Sequence, residues 1–210
     1  MKTPNILVSS VDPWSEEVGS DTLSTLLASY PSSHVASLNI RAQRSDTEVA
    51  GRYFHILEER VIKSIIHPSI ATGESYMISD KSEQDEALRE NQRYRNKHVH
   101  ARRLLVLLRA LVWKLGRWKS NELDEFVEDF APDVLFFPIE GYIHFNRVNQ
   151  YIINKYHPNR IIGYMWDDNF SYKQHPYNPL YLLHRFFLRR SVKGLARECD
   201  VIFTITPKLK

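Results

Sequence analysis

Short apolar runs alternate with helix-length segments along this chain, and that rhythm limits the fold more than any other feature. Ile6–Ser9, Val35–Ile40, Val134–Phe137, Arg160–Met165 and Val201–Ile205 read as strands. Asp21 reads as the N-cap of a helix over Thr22–Ser29. Phe54–Ile66 carries Phe54, Leu57, Val61 and Ile65 at helical spacing, and Ser120-Asn121 opens a helix over Glu122–Phe130 with an acidic first turn. Ile143–Tyr156 and Pro179–Glu198 complete the helices. Strands that read as continuous apolar runs between helices belong to a parallel sheet covered on both faces. The expectation is an α/β, Rossmann-like, mostly parallel sheet with helices on both faces.

With 210 residues, 43% hydrophobic and 25% charged, the chain has enough material for one substantial core, so residues 1–210 are expected to form a single domain. His67–Lys97 interrupts the rhythm with a polar, charged stretch and reads as a surface insertion, or else a lid. Thr206-Pro207 reads as the N-cap and first residue of a helix that would run past Lys210, so a longer architecture is expected. One cysteine, Cys199, excludes an internal disulfide framework. The start MKTPNILVSSVD has no secretory signal, so a reducing cytoplasm is expected.

Several chemistries are excluded by spacing. The glycines form neither G-x-G-x-x-G nor a P-loop, and there is no G-x-S-x-G. No H-E-x-x-H or cysteine pair supports a metal, and neither metal nor cofactor is expected. Ligands of open α/β sheets bind beyond the carboxyl ends of the strands, which selects three loops. The first holds Gly19 and Ser20 just before a helix, where amides and dipole receive an anion or the glycine merely makes a tight turn. The second holds Glu140, with His144 one turn on. The third, after the apolar run to Trp166, holds Asp167 and Asp168. Such carboxylates orient sugar hydroxyls or serve as a general base, and one of the pair can instead cap the following turn.

Arg89–Lys119 carries ten Lys and Arg against the single acid Glu90. On a helical wheel Leu104, Leu107, Leu108, Leu111, Val112 and Leu115 form an apolar arc. Arg102, Arg103, Arg109, Lys114 and Arg117 lie opposite, with Trp113 among them. The expectation is that the leucines pack on the sheet while the basic face and Trp113 meet an anionic membrane; simple solvation of that face is the alternative. HRFFLRRSVKGLAR (184–197) repeats the mixture. No RNA-binding module is recognisable, and nucleic acid is not expected as a partner.

The phrases PNILVSS, DTLSTLLASYP and HVASLNIR, then LVWKLGRWKSNELDEFVEDFAPDVLFFP, IIGYMWDDNFSY and CDVIFTITPKLK, resemble the N-terminal half of retaining glycosyltransferases of family 4. These have the GT-B fold, and the branch resembled builds bacterial surface polysaccharides. The resemblance implies an acceptor-binding domain, inactive alone, whose C-terminal partner domain carries the nucleotide-sugar donor. It also implies a sugar or lipid-linked saccharide acceptor, a cytoplasmic or peripheral membrane location, and no metal. Two departures stand out. Gly19 is followed by Ser20 where a second glycine is usual, and Pro138-Ile139-Glu140-Gly141 lacks the histidine many members carry there, so His144 is its only nearby substitute. The alternatives are a non-catalytic Rossmann-like binding or regulatory domain, or a membrane-surface adaptor.

Overall fold

A computed structural model describes residues 3–14, 25–41, 44–45, 47–76, 78, 102–165 and 178–204, and only the backbone of 102–105. The strands are β1 (Ile6–Ser10), β2 (Val35–Asn39), β3 (Arg52–Ile56), β4 (Gly73–Tyr76), β5 (Val134–Pro138), β6 (Arg160–Met165) and β7 (Val201–Thr204). The helices are α1 (Glu58–Ser64), α2 (Arg102–Leu115), α3 (Asn121–Phe130), α4 (Ile143–Tyr156) and α5 (Pro179–Glu198). One seven-stranded sheet runs in the order β4-β3-β2-β1-β5-β6-β7, parallel except for β4 against β3. This is the expected α/β, Rossmann-like architecture.

Strand periodicity separates two cores. Leu7, Leu38, Phe54, Ile56, Leu135 and Phe137 point to the face that the five helices cover. Val8, Val35, Tyr53, Tyr76 and Phe136 point to the other, where Trp14, Leu27 and Ala50 close over them. Residues 25–27 are the described part of the expected first helix. Helix α3 starts as its sequence requires, with Ser120 Oγ accepting from the Leu123 amide at 3.3 Å. It ends at Ala131 in the left-handed region, φ 47°.

Three expectations are corrected. Phe54–Ile66 is not one helix: Arg52–Ile56 is β3, and only Glu58–Ser64 is helical. Parallel pairing to β2 and antiparallel pairing to β4 satisfy the β3 backbone, which outweighs the helical spacing of Phe54, Leu57 and Val61. Within the interval 67–97, Gly73–Tyr76 belongs to the sheet, while 79–97 lie outside the described residues.

The third correction concerns α2, which is turned from the expected orientation: Val112 still packs on the core and Lys114 is still exposed, but three leucines and Trp113 exchange places. Leu108, Leu111 and Leu115 are 45%, 49% and 59% exposed, whereas Trp113 is fully buried. The helix packs on α1, α4 and α5. Its inner side carries Arg109, which binds the Glu58 carboxylate through Nε and Nη2, and Trp113, whose Nε1 donates to Glu58 at 3.2 Å. Gly116 permits this docking, because a Cβ there would lie 2.5 Å from Val61 Cγ1 and 2.9 Å from the Val61 carbonyl oxygen.

Two substitutions test these assignments. Ala131→Gly should raise unfolding stability by about 0.5–1 kcal/mol by relieving the left-handed conformation, whereas Trp113→Ala should cost about 3–5 kcal/mol. Urea titration of each variant is the check; an unchanged midpoint for Trp113→Ala would mean that α2 docks by its other face.

Candidate functional site

The strand order reverses between β1 and β5, so their carboxyl ends border the crevice where such sheets bind ligands. On the β1 side, Ser10 Oγ donates to the Asp12 carbonyl at 2.6 Å. The Asp12 carboxylate pairs with Arg41, just beyond β2, and Asn39 Nδ2 donates to the Arg41 carbonyl at 3.0 Å. The first two loops of the rim are thereby tied together.

On the β5 side, the Ile139 amide donates to the Tyr164 carbonyl at 2.7 Å, holding the loop against β6. Asn146 Nδ2 reaches back to the Glu140 carbonyl at 3.3 Å. This fold-back brings Glu140 beside the first turn of α4, the turn that contains His144. The His144 imidazole is 3% exposed, with ring centroids 5.1 Å from Trp113 and 5.7 Å from Tyr142. Its Nε2 is buried without a hydrogen-bond partner. Burial, reinforced by the Arg109, Arg147 and Arg41 charges, holds its pKa well below the usual 6.5. The ring is therefore neutral at pH 7, and with Val106, Arg109, Ala110, Gly141, Tyr142, Ile143 and His184 it lines a small cleft of about 40 Å³.

A second polar group crosses the sheet on its other face. Ser10, Asn39, His55 and Glu74 stand in register on β1, β2, β3 and β4. His55 Nε2 lies 3.3 Å from Glu74 Oε1, and Arg60 donates to Glu74 Oε2 at 2.7 Å. Burial would raise the Glu74 pKa, but the hydrogen bonds from Arg60 and His55 outweigh it and the net shift is downward. Burial lowers the pKa of His55 more than Glu74 raises it. The pair is thus a neutral imidazole beside an ionised carboxylate.

The structure gathers Glu140, His144 and Arg109 at one end of the sheet. Gly19, Ser20, Asp167 and Asp168 lie outside the described residues, as do the side chains of Arg102 and Arg103. For membrane contact, Lys114 and Arg117 are exposed as expected, but two candidates are corrected: Trp113 is buried, and Arg109 is taken up by Glu58. Asp12, Arg41, Arg147 and the His55–Glu74 pair escaped the sequence reading. For Asp12 and the His55–Glu74 pair a signal was present in polar residues closing otherwise apolar strands, Ser9-Ser10, Asn39 and His55; Arg41 and Arg147 had none. Among the described residues, no cluster of His, Cys, Asp and Glu suits a metal ion, and no helix is long and apolar enough to cross a membrane.

Topology and crevice together define the class: a Rossmann-like α/β domain with a polar rim at the carboxyl ends of its parallel strands. Comparison with protein-family models, with curated proteins and with solved structures finds no match to this chain.

His144, His55 and His184 all have folded pKa values below the ordinary one, His184 through burial. The unfolded chain then binds more protons than the folded one below about pH 6.5. The contribution of these histidines should be constant above neutrality and fall as pH drops below about 6.5, by up to about 1.4 kcal/mol per pH unit for each. His144→Phe should flatten part of this acid limb in urea titrations between pH 7.5 and 5; an unaltered slope would show that His144 does not resist protonation.

Proposed function

We propose that this chain is the acceptor-side domain of a retaining GT-B glycosyltransferase. It would serve the transfer of a sugar from a nucleotide-sugar donor to a polysaccharide or lipid-linked acceptor, at the cytoplasmic face of a membrane. The observation that carries this reading is the switch-point crevice, bordered by Asp12 and Arg41 on one side and by Glu140 and His144 on the other. A carboxylate-bearing loop next to a helix turn that holds a neutral imidazole suits a saccharide, because the hydroxyl groups of sugars need both acceptors and donors. Nucleotide binding belongs to a second domain in this reading, and the chain alone is inactive.

A membrane-surface role is supported by a separate observation. Val106, Leu108, Leu111 and Leu115 of α2 and Leu180, Leu182, Leu183, Phe186 and Phe187 of α5 are exposed. Helices α2 and α5 touch, and each leaves apolar side chains exposed. Further along α5 the same exposed face turns basic, through Arg190, Lys193 and Arg197. An apolar stripe beside cations suits the boundary between acyl chains and anionic head groups. The contact is made by the leucine face of α2, not by its arginine and tryptophan face. A regulatory domain or adaptor would keep this surface and lack the saccharide site.

Two measurements separate these readings. In saturation-transfer NMR with oligosaccharide fragments of lipid-linked acceptors, Glu140→Gln should weaken binding about threefold to tenfold; absence of any saccharide signal in the wild type would remove the acceptor reading. In flotation assays, the chain should follow vesicles containing phosphatidylglycerol more than neutral ones, and Leu111→Glu with Phe186→Glu should lower that fraction at least fivefold. Equal flotation on both lipids would refute the electrostatic part.

A further inference from the structure

Helix α4 begins beside the cleft with its cap residue, Tyr142, offering no side-chain hydrogen bond. The amides of Ile143, His144 and Phe145 precede the first intrahelical bond, which runs from the Asn146 amide to the Tyr142 carbonyl. A helix start in this state attracts an anion but does not define a site. The independent observation is His144, nearly fully buried and lining the same cleft, with Nε2 lacking any partner. Of the two rings beside the imidazole, Trp113 is buried, whereas Tyr142 is 37% exposed and is the side chain that can yield to an incoming group.

The charges around the cleft do not cancel. On α2, Arg109 is neutralised by Glu58 of α1, and beyond β2 Arg41 is neutralised by Asp12. Arg147 of α4 donates from Nη1 to the carbonyl of Ala110, a lining residue, at 3.3 Å and forms no ion pair among the described residues. His184 of α5 faces the same space, with its pKa lowered by burial. One guanidinium without an ion-pair partner among the described residues therefore lies on the same helix as the unpartnered imidazole, three residues along from it.

We propose that this cleft is a phosphate-binding site, in which a phosphate oxyanion is held by the first-turn amides of α4, by His144 Nε2–H and by the Arg147 guanidinium. Backbone amides and a guanidinium together favour phosphate over a neutral hydroxyl group. Val106, which lines the cleft, and Leu183, next in sequence to the lining residue His184, are both exposed and apolar. Both a free phosphate and the head group of a phospholipid or lipid-linked saccharide fit that chemistry. The inference rests on the acceptor reading only in taking the cleft to face the acceptor. Phosphate binding is measured without sugar transfer, so each can fail alone.

The test uses the full chain and two probes. Inorganic phosphate is titrated by calorimetry and by the imidazole NMR signals of His144; vesicles of phosphatidic acid in phosphatidylcholine are compared with phosphatidylcholine alone. Phosphate should bind and shift the His144 signals, and Arg147→Met should weaken it at least tenfold while Arg52→Met, an exposed cation at the amino end of β3, leaves it unchanged. Arg147→Lys guards against misfolding and should retain binding at intermediate strength. A preference for phosphatidic acid that Arg147→Met abolishes assigns the head group as the source; phosphate binding with no such preference assigns free phosphate. Equal binding by wild type and Arg147→Met, or no response to either probe, would overturn the site.

Discussion

The joint between Glu58 and the pair Arg109–Trp113 determines how α2 lies on the domain, and much of the rest follows from it. Leucines 108, 111 and 115 would bury more apolar surface against the domain than one arginine and one tryptophan can. The opposite face docks because a half-buried carboxylate on α1 meets the guanidinium in a two-point bond and the indole N–H as well. Trp113 then contributes its large ring to the core, against Trp118 and His144. Two consequences are functional. Arg109 is brought to the cleft beside α4, and the leucine stripe is left outward next to the apolar half of α5.

This joint also marks where sequence reasoning runs out. The apolar and basic arcs of α2 are legible from periodicity, but periodicity cannot say which arc turns inward when α1 supplies a carboxylate on a neighbouring element. The same limit applies to Arg52–Ile56. Phe54, Leu57 and Val61 fit a helical stripe, and only the pairing partners β2 and β4, distant in sequence, make the segment a strand. By contrast, the parallel strands β1, β2 and β5 are legible because their burial demands continuous apolar runs, and β6 and β7 carry the same kind of run although β7 is an exposed edge strand. The α3 boundaries are legible for a local reason, since Ser120 caps one end.

For the candidate site, the loops were legible and the partners were not. The rule that ligands sit beyond the carboxyl ends of parallel strands selects Glu140 and its neighbourhood from sequence alone. Arg147 falls one turn inside a helix, and Arg41 follows a strand in an unremarkable polar stretch; neither has a motif. They become recognisable only when Arg147 is seen against Ala110 and Arg41 against Asp12.

The two rims of the sheet treat buried polarity differently, and the contrast bears on function. At the amino ends of the strands the polar groups are matched. Asn5 donates through its amide nitrogen to the Phe130 carbonyl at 2.8 Å and meets His34 Nδ1 at 2.8 Å, while Asp133 accepts from the Asn5 amide and Asp200 from that of Ile161. Towards the carboxyl ends, Ser9 Oγ, His144 Nε2, Asn146 Oδ1 and the side-chain amide of Asn149 are buried without partners. Each such atom costs about 1–3 kcal/mol, and native proteins keep few of them. Stability alone would have replaced these side chains with apolar ones of similar size, as it has Phe145, Val148 and Ile152 on the same helix. Others lie elsewhere, Ser37 in the middle of β2 and Thr47 in the loop that leads into β3, but His144 and Asn146 stand together in the first turn of α4 beside the switch point, where an incoming ligand could satisfy them.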